Sequence, residues 1–133
     1  MKNETVAELM GRRIVLMDTI SAISAVDVGS VIVCGSHGGA ISGTFAQQHP
    51  PVLVFFNDAG GGKNQGGTAA IAMLDEAGIA CAAIAHSSAR IGDAADAWRN
   101  GRLSVVGKRA EAAGLRTNQV VQHAVEVFLS RIH

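Results

Sequence analysis

Tyrosine is absent from the sequence, and one tryptophan with four phenylalanines makes up its aromatic complement. A chain so poor in flat rings offers no platform for stacking nucleic-acid bases. An excess of positive charge is missing too: eleven Lys and Arg balance eleven Asp and Glu. That balance argues against a nucleic-acid module and against a polybasic membrane surface, so neither partner is expected. No apolar run approaches the roughly 20 residues of a membrane span. The opening stretch, MKNETVAELMGRR, holds no apolar signal core, and a soluble cytoplasmic protein is the expectation. Two cysteines, Cys34 and Cys81, are too few for a disulfide framework. Each sits inside an apolar run, where a buried free thiol is expected.

What the chain does have is small residues: 16 glycines and 22 alanines in 133 positions. They let helices sit close to a sheet and let backbone approach a ligand. The length suits one α/β domain spanning residues 1–133. No repeat, low-complexity linker or long charge run divides it.

Residues 3–10 read as a short helix with Asn3 as a possible cap. Residues 13–18 (RIVLMD) read as a strand, and 19–28 as strand or loop. From there strands and helices alternate. Apolar strand runs fall at 31–35 (VIVCG), 52–56 (VLVFF), 79–85 (IACAAIA) and 103–106 (LSVV). Helices are expected over 39–48, 66–77, 89–99, a stretch from Gly107 to Gly114, and 118–131. Strands apolar throughout are buried on both faces, and alternation with helices implies right-handed crossovers. The expected fold is α/β: a three-layer sandwich around a mostly parallel sheet of about five strands.

In such a sheet ligands bind beyond the carboxyl ends of the strands. Three successive strands here end in polar, glycine-rich turns. The first supplies Ser36, His37, Gly38 and Gly39; the second Asn57, Asp58, three glycines and Lys63; the third His86, Ser87, Ser88, Arg90 and Asp93. The opposite edge carries ordinary turn chemistry. His37 and His86 each lie just past a strand and ahead of a helix, where an imidazolium is disfavoured and a neutral ring is expected. Both are candidate proton-moving groups, with Asp58 as an acid/base or the group that orients one of them. Ser36, Gly38, Gly39, Asn57, Lys63, Ser88 and Arg90 are candidate substrate-binding residues. Arg90 and Lys63 are the two Lys or Arg side chains between Ile14 and Trp98. Arg90 is expected in the first turn of a helix, an unfavourable place for a cation that suggests a bidentate clamp on a carboxylate or phosphate. The plainer reading of these residues is capping and turn chemistry: Asp93 pairing Arg90, serines capping helices, and Asp58 closing an Asx turn.

Several motifs fail on inspection. Lys63 is not in a P-loop, because Asn57 stands where the first glycine belongs and Asn64 where Ser or Thr should follow. Residues 35–38 (GSHG) resemble a turn of universal stress proteins over four residues, and that family's later glycine spacing is missing. A strand ending in His-Gly followed by one ending in Asp-Ala is similar to caspase-like peptidases. Their nucleophilic cysteine would be expected near Gly60, where the sequence has none.

The leading expectation is a small-molecule enzyme of lyase, isomerase or hydrolase type. It would act by general acid/base chemistry on a small anionic metabolite, a carboxylate, with no cofactor. The alternatives are a non-catalytic module sensing an anion or nucleotide, and a metal-dependent enzyme using His37, Asp58 and His86 as ligands. A structural subunit whose terminal helix carries assembly is a further reading. A homo-oligomer is an expectation under each.

Overall fold

The computed structural model describes residues 3–61 and 68–132. Its described residues form a six-stranded mixed sheet and five α-helices. The strands are β1 (Glu4–Leu9), β2 (Arg12–Met17), β3 (Val31–His37), β4 (Leu53–Asn57), β5 (Ala80–Ile84) and β6 (Leu103–Val106), and they lie side by side in chain order. The helices are α1 (Ala40–Gln48), α2 (Ala69–Glu76), α3 (Ala94–Asn100), α4 (Lys108–Ala112) and α5 (Val121–Ile132).

Three pairings, β2 with β3, β3 with β4 and β4 with β5, are parallel. The two outer pairings, β1 with β2 and β5 with β6, are antiparallel. Where about five mostly parallel strands were expected, the sheet has six strands and is mixed. The extra strand is the segment expected to be an N-terminal helix. Met10 and Gly11 both take positive φ, 52° and 80°, the signature of the type I′ turn that matches hairpin twist. Residues 4–9 thus fold back on β2. A helix so short is marginal in water, whereas hairpin pairing satisfies the same backbone groups.

The strand interiors alternate between two hydrophobic clusters. Ile14, Leu16, Val31, Val33, Leu53 and Phe55 join Ala94 and Ala97 of α3, Ala110 of α4, and Val121, Val125 and Phe128 of α5. Val15, Met17, Ile32, Cys34, Val54 and Phe56 join Ala46 of α1 and Ala70, Ile71 and Leu74 of α2. Residues 19–28 resolve into two 3-10 turns, Ile20–Ala22 and Ala25–Asp27. No helix among the described residues is long and apolar enough to cross a membrane.

Candidate functional site

The parallel pairings bring three strand ends to one edge. His37 at the end of β3 is in register with Asn57 at the end of β4, and Asn57 with Ile84 at the end of β5. His37 and the β5 end are thus two strand spacings apart, roughly 10 Å. Because β6 runs against β5, its first residues lie at this same edge. Residues 85–93 cross the edge: Asn57 Nδ2 donates to Ala89 O (3.1 Å), Gly92 N donates to Gly35 O (2.8 Å), and Ala94 N donates to Asp18 Oδ1 (3.0 Å).

Asp58 is the hub. Its Oδ1 accepts from Gly60 N (2.8 Å) and His86 N (3.0 Å), and it lies 3.1 Å from His86 Nδ1. Its Oδ2 accepts from Ser104 Oγ at 2.6 Å. Burial alone would raise the Asp58 carboxyl. The hydrogen bonds from Ser104, Gly60 and the His86 backbone and ring outweigh it and hold the group below the usual carboxylate range. The Asp58 side chain is 13% exposed and the His86 side chain 60%, so the carboxylate is sheltered while the ring meets solvent. Gly60, at φ 76°, lies over that ring: a Cβ there would stand 3.6 Å from His86 Cε1.

His37 is exposed at the end of β3, and its Nδ1 accepts from Gly39 N (3.1 Å). It borders a cleft of about 500 Å³ between the 19–21 turn and the start of α1. Thr19, Ser21, Ser36 and Ser42 line this cleft with hydroxyls, and Ile41 and Phe45 give it an apolar wall. Ser36 Oγ accepts from Ile20 N (2.9 Å), which ties the turn to β3. Gly38 donates to Asn57 O and accepts from Ala70 N, and Gly39 is the N-cap of α1.

Asn57 and Ser88 have turn-holding partners. Asn57 is 2% exposed; its Nδ2 donates to Ala89 O and its Oδ1 accepts from Ala59 N. Ser88 Oγ donates to Ala85 O (2.7 Å) and accepts from Arg102 N (2.9 Å). The amides of Gly60 and Gly61 bond to Asp58 Oδ1 and Asp58 O, so an anion does not find them free. Lys63 and Gly62 lie outside the described residues.

Arg90 does not stand in a helical first turn, because α3 begins only at Ala94. Asp93 caps α3 by accepting from Asp96 N, and Arg90 N donates to Asp96 Oδ2. The nine residues before α3 cross the strand ends instead of winding. That path puts Arg90 between Ala89, which is tied to β4, and Gly92, which is tied to β3. Its side chain is exposed there.

His86 and Asp58 meet; His37 stands apart from them. No group of three or more metal-ligating side chains gathers among the described residues. Cys34 and Cys81 are free and buried, and burial pushes both thiols up to about 12, which takes them out of thiolate chemistry at neutral pH.

The sequence reading missed Ser104. Ile84 pairs with Leu103 and Ala83 with Val105, leaving Ser104 as the extra residue of a β-bulge. Bulges re-aim side chains, and this one accompanies a hydroxyl turned toward Asp58, 46 positions earlier. The only cue in the sequence was a single serine inside an apolar run. Against protein-family models, curated proteins and solved structures, the chain matches none.

Proposed function

We propose that this protein is a small-molecule enzyme of lyase, isomerase or hydrolase type. It moves protons on a small anionic, carboxylate-bearing metabolite at the carboxyl edge of a three-layer α/β sandwich, in the cytoplasm. The single observation that carries this reading is the 3.1 Å contact between Asp58 and His86 Nδ1. A sheltered carboxylate that holds Nδ1–H leaves Nε2 of an exposed ring as a proton acceptor, the arrangement a general base requires. His37, two strands away, is the second proton-handling group. The cation for the substrate's carboxylate is Arg90, exposed on the loop that crosses between the two histidines, and its planar fork suits bidentate contact.

The test is proton NMR of the purified protein in deuterated buffer with a panel of small 2-hydroxy, 2-oxo and unsaturated carboxylates. Deuterium incorporation or product formation is expected for at least one acid. His86→Ala is expected to lower the rate by about 100-fold or more. Arg90→Ala is expected to raise KM with kcat nearly unchanged, and Arg90→Lys to weaken binding as well. Full turnover by His86→Ala would overturn the base assignment. Binding with neither exchange nor product would favour the sensing module, and activity lost to a chelator would favour the metal-dependent alternative.

A further inference from the structure

We infer that the sheet edge holds its two imidazoles in opposite tautomers, His86 with a bare Nε2 and His37 with its proton on Nε2, and that Ser104 is the positioning residue for the first. This assigns roles within the proton-moving reading above and rests on it for its chemical use.

The tautomers follow from the partners. An ionised carboxylate can only accept hydrogen bonds, so the His86 nitrogen 3.1 Å from Asp58 Oδ1 carries a hydrogen. In a neutral ring the other nitrogen then has only a lone pair. At His37 the polarity is reversed. The Gly39 amide can only donate, and it points at Nδ1 from 3.1 Å, so the proton of the neutral ring sits on Nε2. One ring offers solvent an acceptor and the other a donor.

Ser104 keeps the first ring in place by holding the carboxylate. Gly60 N and His86 N fix Oδ1, and among the described residues the Ser104 hydroxyl, at 2.6 Å, is the contact made to Oδ2. The hydroxyl has one proton to give. Its alternative acceptor, Ala83 O, lies at 3.5 Å, so the proton goes to Asp58. Without it, Oδ2 is released and the carboxylate can turn away from Nδ1. Among the described residues the Ser104 hydroxyl bonds to Asp58 and Ala83, so it acts through Asp58 rather than on a reacting atom.

The experiment is long-range proton–nitrogen correlation on the uniformly 15N-labelled full chain, above the pH at which its histidines are charged. His86 is expected to show a pyrrole-type Nδ1 with a pyridine-type Nε2, and His37 the reverse. The same pattern at both rings would overturn the inference. Ser104→Ala is expected to move the His86 pattern toward an average of the two tautomers, to leave His37 unmoved, and to keep the native amide spectrum. Ser104→Thr is expected to restore the single tautomer. Should Ser104→Ala fail to fold, Ser104→Cys, which keeps the size but offers only a weak S–H donor, gives the same readout. An unchanged His86 pattern in a folded Ser104→Ala protein would remove Ser104 from the role. None of these readouts needs a substrate. Tautomers as expected with no acid turned over would sink the proposed function and leave this inference standing.

Discussion

Asp58 shows how much a single side chain depends on neighbours distant in sequence. Two residues from other segments, His86 and Ser104, converge on its carboxylate together with the nearby Gly60. Folding therefore lowers its pKa below the unfolded value of about 3.9. A carboxyl lowered in this way contributes its stability in full above the unfolded value and loses it as pH falls through the folded one. Urea midpoints of the native protein and of Asp58→Asn, compared as pH is lowered from about 6 to about 3, test this. The native protein is expected to lose its advantage over the variant toward the acid end, and a constant gap would show that the hydrogen bonds do not favour the ionised form. At this scale the sequence reading named His37, Asp58 and His86, because polar residues directly after apolar strands are legible without coordinates. Which histidine Asp58 would touch was not legible, since it depends on how far residues 85–93 travel before returning.

Among the elements, the crossing loop before α3 decides the site's layout, and one glycine permits it. A Cβ on Gly35 would stand 2.6 Å from Asp93 N and from the Gly92 carbonyl carbon, and 2.8 Å from Asp18 O. All three atoms are backbone and cannot swing aside. Gly35→Ala is expected to cost about 1–3 kcal/mol and to loosen the loop that carries Arg90. Gly43, in α1, is the control. Its Cβ would meet the flexible end of Met73, with Sδ at 2.8 Å, and Ala70 Cβ at 3.2 Å, which must give by a few tenths of an ångström, a cost offset by the about 1 kcal/mol of helix propensity that alanine gains over glycine. Gly43→Ala is therefore expected to be near neutral in the same urea titration; equal losses at the two positions would refute the backbone-clash account. Periodicity located β3, β4, β5, β6 and α1 closely. It misplaced the start of α3, since Asp93 rather than an earlier serine provides the cap, and it misread β1, whose short polar run carries too little pattern to separate helix from edge strand.

In the molecule as a whole, the sheet divides the apolar interior into two cores, and adjacent residues of β4 serve different ones. Phe55 belongs to the cluster that holds residues of α3, α4 and α5, Phe56 to the one that holds residues of α1 and α2, and both are fully buried. Each Phe→Ala is expected to cost about 3–5 kcal/mol against a total stability of roughly 5–15 kcal/mol. Either single variant should keep a cooperative urea transition at a lower midpoint, and the double variant should lose it. A double variant as stable as either single one would mean that the two faces are not separate cores.

Composition and local pattern were enough to establish an α/β chain with apolar central strands, buried thiols, and an edge rich in glycine and histidine. These follow from short-range physics: burial on both strand faces, turn chemistry, and the charge balance. Folding in three dimensions decided the antiparallel outer strands, the meeting of Asp58 with His86, the arrival of Ser104 from β6, and the separation of His37 into its own cleft. Each of those depends on lateral register and on the path of a connection between distant segments, and neither quantity is written in any local window of residues.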